Sequence, residues 1–242
     1  MFIKFCESKY NLAKDCQTIA LGTLQYYADD SPDFLRHDYN EGCFEVKNEG
    51  APIQIDGQSL NSLTAGSVVA LNGAYFGQGS NFTGEFQFPN CYMFCFSQDL
   101  SPSIEMAKKI DPAYDDWYLI HDLEKFINHT AELLLKQLKL SDLEIDPNTH
   151  VGWVQKLTLQ IVHGACSFDG RKMTFNQGSL EKAVEVANDP LRWAFAKNPS
   201  HDLTKEYRVM FILLDYRGQI VPVKKSLKVL NLQADIGVSI YE

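Results

Sequence analysis

The chain has 242 residues, 45% of them hydrophobic, with 22 Lys and Arg against 31 Asp and Glu and a formal net charge of -9. At this length one large domain or two small ones are expected, and roughly 70–75% of the unfolded surface is buried on folding, so neither disulfides nor a metal are required. The acidic balance argues against nucleic-acid binding through a general phosphate field but leaves room for a local basic site.

The first residues, Met1-Phe2-Ile3-Lys4-Phe5-Cys6, lack the basic n-region and apolar run of a signal peptide. No stretch approaches the ~20 apolar residues of a membrane span. A cytoplasmic protein without membrane contact is expected. Cys91 and Cys95 are four apart, but Tyr92, Met93, Phe94 and Phe96 mark that segment as a buried strand. No second close Cys or His pair completes a zinc site, so reduced structural thiols and no metal are expected.

In chain order, Phe2 to Cys6 reads as a strand and Asn11 to Cys16 as a helical turn or two. Thr18 to Leu24 is a second extended segment, and the polar stretch from Asp29 to Glu41 a loop. The glycine-rich stretch Gly42 to Phe88 alternates apolar and polar residues and reads as an antiparallel β insertion, with Asp56-Gly57 as a hairpin turn. Asn90 to Ser97 and Trp117 to Ile120 read as strands. After Asp122, the spacing of Leu123, Phe126/Ile127, Thr130/Ala131, Leu134 and Leu138 predicts a capped core-packing helix. Val154 to Cys166 reads as a strand. Ser179 is expected to cap a helix over Leu180 to Ala187, with a second short helix over Leu191 to Ala196. Tyr207 to Leu214 is a strong strand, followed by Ile220 to Val223 and one or two short strands in the tail. The pattern predicts an α+β protein, a single domain over residues 1–242 with mostly antiparallel strands and a β insertion at 42–88.

No P-loop, GxGxxG, HExxH or GxSxG motif is present. Four short constellations carry the chemistry. Lys4-Phe5 lies on the opening strand; such a lysine is ordinarily solvated, or else a cation for a phosphate or carboxylate. Gly22-Thr23-Leu24-Gln25-Tyr26-Tyr27 precedes His37-Asp38-Tyr39-Asn40-Glu41; the tyrosines suit stacking on a flat ring, and the acids suit loop capping or ligand binding. Cys95-Phe96-Ser97 places a hydroxyl at a strand end. Lys197 precedes Glu206-Tyr207-Arg208, where Glu206 and Arg208 share one strand face. That pairing is costly on a core-entering strand unless both meet partners or line a cleft.

Taken in order, K-F, D-x-x-E after G-T-L-x-Y-Y, C-F-S and K…E-Y-R resemble a large group of bacterial proteins related to the AbiGi-like abortive-infection proteins. Ile120-His121-Asp122-Leu123-Glu124-Lys125-Phe126 is similar to that group's strand-to-helix step. The group's E-x-E-[YW]-R is here Thr204-Lys205-Glu206-Tyr207-Arg208, with its first acid replaced by Thr204; its N-D-P-[FY]-E is His37-Asp38-Tyr39-Asn40-Glu41, with the proline lost. The layout is also distantly similar to the ADP-ribosyltransferase fold, including DarT-type toxins, which implies a split sheet.

That resemblance implies cleavage of the nicotinamide–ribose bond of NAD, the substrate, and transfer of ADP-ribose to a protein or nucleic-acid acceptor. Glu206 would stabilise the ribose cation, as in glycoside cleavage, and Ser97 would position Glu206 or the ribose. Lys4 and Arg208, with Lys197, would neutralise the pyrophosphate, Tyr26 or Tyr27 would stack on nicotinamide, and Asp38 and Glu41 would complete the cofactor site. The halved acidic pair at Thr204 motivates a rival: a non-catalytic antitoxin, inhibitor or protein-binding module. A nuclease using His37, Asp38 and Glu41 is a second.

Overall fold

The computed structural model describes residues 1–28, 41–68, 72–145 and 156–232. Its strongest strand, β11 (Glu206–Leu214), carries buried apolar side chains on both faces from Val209 to Leu213. Such a strand needs cover on both sides and a partner on each edge. β7 (Tyr92–Gln98) pairs with it antiparallel on one edge, and β9 (Thr158–Ala165) on the other.

The second edge of β7 is shared by two strands. Tyr92 and Met93 pair with β2 (Thr18–Thr23), whereas Ser97 and Gln98 pair with β1 (Phe2–Cys6). The registered pairs end at Met93 and resume at Ser97, so the sheet forks along β7. One branch continues from β2 to β12 (Leu227–Asn231), the other from β1 to β8 (Asp116–Ile120). The result is a seven-stranded antiparallel sheet.

The amphipathic spacing after Asp122 becomes α4 (Leu123–Gln137), whose cap carboxylate accepts from the Lys125 N–H at 2.9 Å. Its buried face packs on Tyr92, Phe94, Phe96, Val209, Phe211 and Leu213, with the Phe94 and Phe126 ring centroids 5.0 Å apart. On the opposite face, Ala107 and Ile110 of α3 (Ile104–Ile110) cover Ile3 and Phe5. The four-residue α1 (Leu24–Tyr27) follows β2 directly, capped by Thr23, whose Oγ accepts from the Tyr26 N–H at 3.2 Å.

The chain divides into two compact units. The first, holding this sheet, spans Met1–Glu41, Pro89–Cys166 and Ser200–Glu242; the second joins Gly42–Phe88 to Ser167–Pro199. The glycine-rich stretch therefore folds with a second, later segment that its own pattern does not announce. Within this unit β3 (Cys43–Asn48) is flanked by β6 (Thr83–Gln87), antiparallel, and β10 (Lys172–Phe175), parallel. β4 (Ile53–Ile55) and β5 (Ala74–Phe76) form a separate pair. α2 (Gly57–Leu63), α5 (Leu180–Ala187) and α6 (Pro190–Phe195) complete it.

The fold is α+β with mostly antiparallel strands. Two local expectations change. Asp56-Gly57 opens α2 and is not a hairpin turn: the Asp56 carboxylate accepts from the Ser59 N–H at 2.9 Å and from its hydroxyl. An Asp before Gly suits an N-cap as well as a turn. Ser179 stands at the N-cap of α5 but makes no side-chain capping bond; its hydroxyl accepts from the Asn176 N–H at 3.0 Å. α1, α3 and β10 are elements that periodicity missed, being too short to show a period. His37, Asp38 and Val154 lie outside the described residues.

Candidate functional site

The register of the forked sheet decides which pattern residues share a face. Ser97 stands directly across from Glu206, and Cys95 from Arg208. Residues in register point to the same side, with Cβ atoms about 4.5–5.5 Å apart. Ser97, Cys95, Glu206 and Arg208 therefore share one face, opposite the α4 core.

On that face Arg208 is the centre. Its Nη2 donates to Glu206 Oε1 at 2.6 Å and to Glu41 Oε1 at 3.0 Å, and its Nε donates to Glu206 Oε1 at 3.1 Å. Glu41, Ser97, Glu206 and Arg208 come from three distant stretches of sequence and meet in one unit. Exposure separates their roles. The side chain of Arg208 is 0% exposed and that of Glu41 1%, whereas Glu206 keeps 10%. Burial works against the Arg208 charge, but Cys166, Glu41 and Glu206 outweigh it and hold the guanidinium well above its ordinary range. Arg208 stays cationic.

Cys166, which the sequence reading did not single out, touches the same cluster. Its thiol lies 3.6 Å from Glu206 Oε1, and its N–H bonds the Glu206 carbonyl at 2.9 Å. The only signal for it was its place at the end of the β9 pattern. All six cysteines are free thiols.

Two left-handed residues bracket this end of the sheet. Lys205, immediately before Glu206, has φ 43°, and Asp99, two after Ser97, has φ 55°. A non-glycine residue in this region costs roughly 1–2 kcal/mol. The Lys205 carbonyl accepts from the Gln98 N–H at 2.9 Å, and the Asp99 N–H donates to the Met1 carbonyl at 3.1 Å. Thr204 is buried and donates its hydroxyl to the His201 carbonyl at 2.8 Å. It closes a turn.

Lys4 is placed differently from the expectation. Ile3 is across from Ser97, so Lys4 points to the opposite face. There it donates to the Cys95 carbonyl at 2.6 Å and lies 4.6 Å from the Phe94 ring centroid. That carbonyl belongs to the stretch of β7 between the two branches, so the ammonium serves a backbone group at the fork. Arg208, fully enclosed and bound to two acids, is an internal counterion and not a pyrophosphate ligand. Lys197 belongs to the second unit and is buried.

Tyr27 does reach the Ser97 face. Gly22 is across from Met93, and a Cβ at Gly22 would sit 2.6 Å from Tyr27 Cζ. The glycine of the G-T-L-x-Y-Y segment is thus required by the ring above it. Tyr26 meets Tyr27 edge-on, with centroids 5.4 Å apart. Four residues of β7, about 13 Å, separate Met93 from Ser97. The tyrosines therefore stand toward the Met93 end of the face, and Glu206 toward the Ser97 end.

Among the described residues, no three His, Cys, Asp or Glu side chains gather as a metal site, and no helix is long and apolar enough to cross a membrane. Compared with protein-family models, curated proteins and solved structures, the chain matches none.

Proposed function

We propose that this protein is an ADP-ribosyltransferase-like enzyme that cleaves NAD at the nicotinamide–ribose bond and passes ADP-ribose to a macromolecular acceptor. The observation that carries the reading is Glu206. It is the one carboxylate of the cluster that keeps contact with solvent, and Arg208 holds it from behind. A fixed carboxylate beside a reacting sugar stabilises the positive charge that develops as nicotinamide leaves. Ser97, directly across the strand pair, would bond a ribose hydroxyl. Tyr26 and Tyr27, at the far end of the face, suit the adenine half of the dinucleotide better than nicotinamide.

The forked sheet and the left-handed residue before Glu206 support the reading, since stored backbone strain gathers at functional sites. By its resemblance to abortive-infection proteins and DarT-type toxins, the protein would act in the bacterial cytoplasm as a toxin or phage-defence effector. The test is incubation with labelled NAD and a bacterial lysate. The native protein is expected to transfer label, and Glu206→Gln to lose that transfer. No transfer and no nicotinamide release by the native protein would sink the enzyme reading.

One observation favours a non-catalytic protein-binding module, such as an antitoxin or inhibitor. Lys4 and Arg208, the two cations of the pattern on this sheet, are both engaged inside the protein. Calorimetry without NAD binding, together with a stoichiometric partner in a pull-down, would select that reading.

A further inference from the structure

Glu41 and Arg208 are both too enclosed to touch a bound molecule, at 1% and 0% side-chain exposure, yet they contact each other. We propose that Glu41 is a positioning residue that fixes Glu206 through Arg208. The proposal rests on Glu206 being the reactive carboxylate.

The geometry is specific. Glu206 and Arg208 sit two apart on one strand, so they can rock together about the same stretch of backbone. Glu41 arrives from a remote part of the chain and gives Arg208 a reference outside that strand, as the Cys166 thiol at 3.6 Å does for Glu206. The guanidinium is planar, and Nη2 has two hydrogens in that plane. Nη2 lies 2.6 Å from Glu206 Oε1 and 3.0 Å from Glu41 Oε1. With Glu41 holding one side of the guanidinium, Nε and Nη2 both converge on Glu206 Oε1, and the position of that oxygen follows. Cys166 at 3.6 Å from Glu206, Cys95 across from Arg208, and Cys91, whose thiol feels the Arg208 charge, are among the titratable groups beside the pair.

The test compares native protein with Glu41→Gln, which keeps the shape and an acceptor oxygen but removes the charge. Two quantities are read: steady-state NAD cleavage, and titration of the Glu206 carboxyl carbon by NMR after ¹³C labelling. The expected kinetic result is a kcat lowered on the order of 10- to 100-fold with KM for NAD unchanged, since misplacement of a catalytic group by a fraction of an ångström acts on the chemical step. The expected titration result is a Glu206 midpoint that moves to lower pH, because a neighbouring negative charge has gone. A raised KM with kcat intact, or a Glu206 midpoint that does not move, overturns the proposal. If native protein cleaves no NAD, the proposed activity fails, and the titration alone decides whether Glu41 acts on Glu206. Should Glu41→Ala also fold, it is expected to lower kcat further than Glu41→Gln; an equal or smaller loss overturns the geometric part.

Discussion

The two faces of β7 and β11 are made by the same residues taken alternately, yet they are built on opposite terms. One face presents Phe94, Phe96, Val209, Phe211 and Leu213 to α4. The other presents Ser97, Cys95, Glu206 and Arg208, with Glu41 brought in from outside the sheet. The first gains stability from apolar area removed from water, at roughly 25 cal/mol per Å². The second carries an enclosed cation and two acids, whose desolvation consumes most of what their attraction returns. A protein that needed only to fold would have little reason to build the second face as it is. The contrast sets an enclosed charge cluster on one side of the strand pair against an apolar core on the other.

Four substitutions break or sharpen that contrast. Phe211→Ala on the α4 face is expected to cost about 3–5 kcal/mol, as a fully buried ring leaves a cavity. Chemical denaturation reads it, and a loss near zero would mean the face is not the core. Arg208→Met is expected to cost about 3–5 kcal/mol as well, but for another reason: it strands Glu41 and Glu206 without the cation they share. Its diagnostic is pH. The penalty should shrink as pH falls, because protonation relieves the stranded acids; a pH-independent penalty would point to packing alone.

Gly22→Ala is expected to cost about 1–3 kcal/mol, since the new methyl meets the Tyr27 ring. The double change Gly22→Ala with Tyr27→Ala should recover much of it, and no recovery would remove Tyr27 from that face. The smallest effect is Lys205→Gly. Relief of its left-handed φ should stabilise the fold by under about 1 kcal/mol, offset in part by the greater freedom of glycine in the unfolded chain. If that strain serves Glu206, the more stable variant should be the slower enzyme.

Much of the sheet was legible in the sequence. Period-two alternation and unbroken apolar runs gave Phe2 to Cys6, Asn90 to Ser97 and Tyr207 to Leu214, and 3.6-residue spacing gave α4. The same period placed Glu206 and Arg208 on one face, and the requirement that they meet partners is satisfied by each other and by Glu41. Pairing between distant segments was not legible, because nothing local encodes which strands lie side by side. That is why a pyrophosphate role for Lys4 could be read from the sequence while its face could not: Ile3 pairs with Ser97, and Lys4 points to the other side. It is also why the company of Gly42–Phe88, the segment Ser167–Pro199, went unseen. Cys166 escaped for a chemical reason: a lone cysteine at a strand end looks like any core thiol.

The most direct measurement is nicotinamide release from NAD by purified native protein, set against Glu206→Gln at matched fold stability. The expected result is measurable release by the native protein and a loss of at least about a hundredfold in the variant, the scale of one electrostatic stabiliser in a preorganised site. Equal rates in the two proteins, or no release by either, would contradict the assignment of Glu206 as the reactive carboxylate.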